Sequence, residues 1–238
     1  MKRLLLLLAG SLLALIGLGA GRAAAWQPRV FEEEMILGWR VKIDAEFRRD
    51  HPRLVQSSLD LLQKELAAIV AAVPPQRLGQ LRQATFWLDE RVPRGPASAK
   101  VPVFHPSRDW LQEHGLNPDM AGGVELPNAR AFLESYAVEP WALMHELAHF
   151  YHHVVIGLAD PRIPEAYQHA RDAGLYEHVA YHDGRMMRAY ALENEKEYFA
   201  ELTEAYFGRN DFYPFTRDEL RHYDAEGFAL MEAVWEAP

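Results

Sequence analysis

Apolar positions recur along this chain at two spacings. Trp39 to Phe47 alternates apolar with polar residues and predicts a strand; Ala84 to Leu88 predicts a second. Between them, Arg53 to Val73 carries Leu54, Leu61, Leu62, Leu66, Ile69 and Val70 at helical spacing, and Pro74-Pro75 stops the helix. Residues 91–107 hold Pro93, Gly95, Pro96, Pro102 and Pro106 and predict mostly loop. Ser107 is placed to cap a short helix that runs through His114 and ends at Gly115. Gly122 to Leu126 reads as a short strand, and from about Pro140 the pattern is mainly helical. The expectation is an α+β fold. A small sheet with helices occupies residues 26–130, a helical part occupies 131–238, and a cleft lies between them, within one domain overall.

The first 25 residues stand apart from this pattern. Lys2 and Arg3 precede the apolar runs Leu4–Leu8 and Leu12–Leu18, and Ala23-Ala24-Ala25 supplies small residues before Trp26. This three-part pattern predicts a signal peptide cleaved at about Ala25 and a secreted or otherwise extracytoplasmic protein. The alternative is an uncleaved anchor, because the apolar stretch is close to the length that spans a bilayer. No later stretch is apolar for long enough, so stable membrane insertion after cleavage is not expected.

Charge and cysteine usage narrow the chemistry. The 238 residues carry a formal net charge of −9, a poor match for the basic face that a nucleic-acid binder needs. There is no cysteine. Disulfides, thiolate metal sites and cysteine nucleophiles are therefore excluded, and any transition metal must be held by His, Asp or Glu.

Residues 141–153 read WALMHELAHFYHH, which contains the H-E-x-x-H pattern His145-Glu146-Leu147-Ala148-His149. On a helix, His145 and His149 lie one turn apart on one face and can share a zinc ion. Glu146 is rotated by about 100° and can reach a water on the metal without ligating it. The apolar flanks Leu143, Met144, Leu147 and Ala148 predict a buried helix, in which His and Glu need partners. A catalytic zinc site needs a third protein ligand. The metzincin arrangement would place Gly and His at the third and sixth positions after His149, where His152 and Val155 stand instead. Downstream, Asn194-Glu195-Lys196-Glu197-Tyr198-Phe199-Ala200-Glu201 begins like a capping box and places Glu197 and Glu201 one turn apart. Acidic residues so spaced repel unless a cation or hydrogen-bond donors lie nearby, which makes this segment the source of the missing ligand.

H-E-x-x-H followed some tens of residues later by E-Y-F-A-E resembles the gluzincin metallopeptidases, among them the anthrax lethal factor catalytic domain and its secreted relatives. The resemblance covers residues 140–208; residues 26–130 match nothing in that family. It implies a zincin-like fold with one Zn²⁺ per chain, held by His145, His149 and Glu197. It implies that Glu146 is the general base, that Glu201 orients a ligating His from behind, and that Tyr190 helps stabilise the oxyanion. It also implies a sheet edge that binds an extended peptide or protein substrate, with Gly122–Leu126 as the candidate strand. Zinc in such a site lowers the pKa of water to about 7, and Glu146 would move the proton to the leaving amine.

Several histidines compete for attention. His152 and His153 follow His149 at helical spacing, and His178 and His182 lie near Tyr176 and Tyr181. His152 and His153 read more naturally as helix-surface histidines than as ligands, and His178 and His182, in a segment that could line a cleft, more naturally as bystanders than as a transition-state donor. Two other functions are open at this level: a zinc-binding interaction module without catalysis, and a hydrolase of a non-peptide amide such as a cell-wall crosslink. Intact Glu146 argues against the first, since zinc binding alone does not need it.

Overall fold

The computed structural model describes residues 27–90 and 102–236; the leader, its cleavage site and most of the proline-rich segment lie outside the described residues. The fold begins with a hairpin of β1 (Phe31–Ile36) and β2 (Trp39–Asp44). Leu37 and Gly38 turn it with φ of 50° and 94°, the left-handed geometry of a tight two-residue hairpin. Helices α1 (Ala45–Asp50), α2 (Pro52–Ala72) and α3 (Pro75–Leu81) lead to β3 (Thr85–Leu88). Then come β4 (Val103–His105), α4 (Arg108–Glu113), β5 (Gly123–Leu126) and α5 (Ala129–Ser135). The rest is α6 (Ala142–Phe150), α7 (Arg162–Asp172), a two-residue hairpin of β6 (Val179–Ala180) and β7 (Met186–Met187), α8 (Glu195–Phe207), α9 (Arg217–Tyr223) and α10 (Ala225–Met231). The class is α+β, as the pattern predicts.

The five-stranded sheet has the order β1-β2-β3-β5-β4. β2, β3 and β5 run parallel; β1 and β4 are antiparallel edges. Alternation assigns the faces. Trp39, Val41, Ile43, Phe86, Leu88, Val124 and Leu126 enter the main core. Trp87 points to the other face, with Leu111 and Met120 beneath α4. The buried stripe of α2 includes Val55, Leu59, Leu62, Leu66 and Ile69. Burial of each such side chain stabilises by about 1.5–3 kcal/mol. The same apolar cluster continues through Leu143, Met144 and Leu147 of α6 and Tyr198, Phe199 and Leu202 of α8 to Trp235, so one core joins the sheet to the helical part.

Two expectations are corrected. The strand expected to reach Phe47 stops at Asp44, because the Asp44 carboxylate accepts the Phe47 N–H at 2.7 Å and starts a helix instead. Of the segment expected to be mostly loop, the described part holds the short strand β4 at Val103–His105, between Pro102 and Pro106. Gly122–Leu126, expected as the peptide-binding edge, is an interior strand as β5: β3 and β4 flank it, and β4 is the edge beside α6. Ser107 caps α4 as expected, accepting the Trp110 N–H at 3.2 Å.

α6 has no cap from its own N-cap residue, Trp141. Glu65 of α2 fills this role from across the core, accepting from the Leu143 N–H. Burial pushes the Glu65 carboxyl up to about 8, against the opposing pull of Lys64 and that N–H. Between its ordinary 4.5 and 8 the folded chain keeps Glu65 protonated while the unfolded chain ionises. Its contribution to stability is thus complete below pH 4.5 and falls as pH rises toward 8. Glu65→Gln keeps an acceptor for Leu143 and removes this titration. Its thermal stability relative to wild type should rise between pH 5 and pH 8, by up to about 1.4 kcal/mol per pH unit. An advantage independent of pH in paired melts would show that Glu65 ionises freely in the fold.

Candidate metal centre

α6 and α8 run antiparallel against each other. Three pairings along them fix the register: Trp141 with Gly208, His145 with Glu204, and His149 with Glu197. Gly208 allows the closest of these. A Cβ there would fall 1.9 Å from the Trp141 ring, so any side chain would push the two helices apart. Asn194 starts α8, its side-chain oxygen accepting from the N–H groups of Lys196 (2.9 Å) and Glu197 (3.2 Å). The cap holds the first turn of α8, and with it Glu197, opposite the two histidines.

The structure brings the three expected ligands together. His145 Nε2 lies 3.0 Å and His149 Nε2 3.1 Å from the same oxygen, Glu197 Oε2. The imidazole rings cross at 78° with centroids 4.7 Å apart, which aims both nitrogens at one region. Ligand atoms of His145, His149 and Glu197 all lie within 4.8 Å of one another and can hold a metal ion. His145, Glu201 and Glu204 form a second such group on the far side of the His145 ring.

The two histidines and Glu197 perturb one another strongly. Burial opposes charge on both His145 and Glu197, yet their mutual bonds prevail. Hydrogen bonds to Glu197 and Glu204 hold the His145 pKa well above the usual imidazole range. Those from His145 and His149 hold the Glu197 carboxyl far below the usual carboxylate range. The protons that bind Glu197 to the histidines stand where a metal cation would bind all three.

Behind His145 lies a buried acidic pocket. Glu204 Oε1 is 2.7 Å from His145 Nδ1, whereas Glu201 Oε1 is 3.7 Å away. Both acids that stand behind His145 are within ion-pair distance of Nδ1, and Glu204 is the nearer. Glu201 Oε2 accepts from Asn210 Nδ2 at 3.2 Å. Burial raises the Glu201 and Glu204 carboxyls, and burial with the neighbouring Glu204 charge raises Asp211 to about 8. The sequence reading missed Glu204; its position seven residues after Glu197 is the signal that could have found it.

Glu146 is turned toward the sheet edge, where its Oε2 accepts the Phe104 N–H of β4 at 2.7 Å. The Tyr190 ring lies over His145 at 6.3 Å, inclined by 30°. The other histidines stand apart. His152 is buried against the edge of Phe199, its Nδ1 has no hydrogen-bond partner, and burial with the nearby His149 lowers its pKa to about 4. This corrects the helix-surface reading: His152 is a packing residue. His178 and His182 are exposed near the β6–β7 hairpin.

Comparison with protein-family models, with curated proteins and with solved structures finds no match to this chain.

Metal binding tests this centre directly. Glu197→Ala should reduce affinity by more than the ~10- to 100-fold typical of losing an outer hydrogen-bond partner. Unchanged metal content under competition with a chelator would remove Glu197 from the ligand set.

Proposed function

We propose that the chain is a zinc-dependent metallopeptidase of the gluzincin type, zincin-like in fold, that acts outside the cytoplasm on peptide or protein substrates. The observation that carries this reading is the convergence of His145, His149 and Glu197, with Glu146 one residue along the same helix and held at a sheet edge. Two imidazoles and one carboxylate are the donor set of a zinc site that keeps a position open for chemistry. The exported location rests on the leader pattern. Among the described residues no helix is long and apolar enough to cross a membrane.

A zinc ion in this centre supplies Lewis acidity toward a carbonyl oxygen and lowers the pKa of water to about 7. The chain's own groups do the rest. Glu146 accepts a proton from the attacking water and delivers it to the departing amine. The Tyr190 phenol donates a hydrogen bond to the oxygen of the tetrahedral intermediate, from its place over His145. β4 offers the edge along which an extended peptide lies, because its outer backbone groups face away from β5 and toward Glu146. A substrate strand on that edge brings its scissile carbonyl beside α6.

Two substitutions separate binding from chemistry. Glu146→Gln should retain zinc and lose peptide cleavage by roughly 100- to 10,000-fold. Tyr190→Phe should lower kcat by roughly 10- to 1000-fold with zinc content unchanged. Purified wild type and both variants are compared for metal content and for chelator-sensitive cleavage of a peptide library. Zinc without cleavage in the wild type would favour the interaction module or the non-peptide amide substrate, and full activity in Glu146→Gln would place the base elsewhere.

A further inference from the structure

We infer that Glu204, and not Glu201, is the carboxylate that positions the His145 imidazole for metal binding. The inference rests on the metal centre proposed above and adds a residue to it. Helix geometry supplies the first argument. At 100° per residue, seven residues carry α8 to within about 20° of the Glu197 direction, whereas four residues leave it about 40° away. Glu197 and Glu204 therefore lie on one stripe and reach one imidazole from its two sides. The distances agree: His145 Nε2 meets Glu197 at 3.0 Å and Nδ1 meets Glu204 at 2.7 Å.

The second argument is what Glu201 does instead. Its Oε1 lies 3.7 Å from Nδ1, beyond a hydrogen bond, and its Oε2 is occupied by Asn210. The third is chemical. With Glu204 as acceptor, Nδ1 carries the ring proton, and the neutral imidazole presents the Nε2 lone pair to the metal. The Glu204 side chain is 5% exposed, so water does not compete for this bond. The Tyr190 ring lies near the same imidazole, with centroids 6.3 Å apart and an inclination of 30°. Glu204 is thus a positioning residue: it touches neither substrate nor metal and acts through His145.

The test compares Glu204→Gln with Glu201→Gln in the full exported chain. Zinc affinity and the visible absorption of the cobalt(II)-substituted protein read the metal. The NMR signal of the His145 Nδ1 proton reads the hydrogen bond with or without metal. Glu204→Gln should weaken zinc about 10- to 100-fold, change the cobalt(II) bands and move the Nδ1 proton upfield; Glu201→Gln should stay within about threefold of wild type and leave both spectra in place. An equal or larger effect from Glu201→Gln, or an unmoved Nδ1 proton in Glu204→Gln, would overturn the assignment. If a variant unfolds, the zinc-loaded wild type still decides, because an unprotonated His145 Nδ1 refutes the bond. If the wild type binds neither zinc nor cobalt, the peptidase reading fails, and the Nδ1 signal of the metal-free protein still tests the Glu204–His145 pair.

Discussion

The antiparallel register of α6 against α8 is the constraint on which the rest of the molecule's chemistry depends. It is set at one end by glycine and at the other by charge. Gly208 lets the Trp141 ring sit where a side chain would otherwise be, and Glu197 receives both histidines three turns further along. A shift of one residue would rotate α8 by 100° and carry all three of its inward carboxylates out of reach of α6. Neither helix holds this register by hydrogen bonds to its neighbour's backbone. Side-chain pairs do so, Trp141 with Gly208, His145 with Glu204 and His149 with Glu197, within a core continuous with the sheet. Because interiors are close-packed, such a register is discrete, and the ligand geometry inherits that discreteness.

Charge burial explains why the site sits where the sheet ends. Carboxylates and imidazoles removed from water need partners, and α6 offers them only along the two faces that do not enter the core. One face meets α8 and carries His145 and His149. The next face, a single residue around, meets the outer edge of β4 and carries Glu146. An edge strand leaves unpaired N–H groups, which attract either another strand or a carboxylate. Here Phe104 N–H meets Glu146, so the edge is capped by the residue proposed as general base. An extended peptide that pairs with β4 must share or take over that N–H. In the proposed peptidase, substrate docking and the orientation of Glu146 would be coupled through this one hydrogen bond.

Much of this was legible in the residues, and the parts that were not have identifiable causes. The helical period of Arg53–Val73 survives as α2 because its apolar stripe faces the sheet, and Pro52 and Val73 delimit it within a residue. His145, His149 and Glu197 were legible because a helix fixes relative direction over one turn, and the capping pattern at Asn194 fixes where α8 starts. Strand order was not legible. Local alternation says which residues face the core but not which strand is the neighbour, so β5 reads as well for an edge as for an interior position. β4 was hidden by prolines on both sides, and α1 by an Asp44 that could end a strand or cap a helix and does both. Glu204 escaped because i+4 and i+7 both return to one helix face, and only the height of His145 on the opposing helix chooses between them.

That choice shows how the buried acids can persist without unfolding the protein. Glu201, Glu204 and Asp211 crowd behind one imidazole, and burial raises all three. Three ionised carboxylates there would repel strongly in a low-dielectric interior, and three protonated ones would leave His145 Nδ1 without a charged acceptor. The structure resolves this by unequal partnering. Glu204 alone bonds to the imidazole, the interaction that most favours an ionised carboxylate in this pocket, while Glu201 accepts from a neutral amide and Asp211 is held up at about 8. Glu204 is thus the one acid of the three placed to act through His145 on the proposed metal centre. In the proposed metal centre, a pocket that looks from its composition like a liability for folding becomes, through one hydrogen bond, the support for a ligand's tautomer.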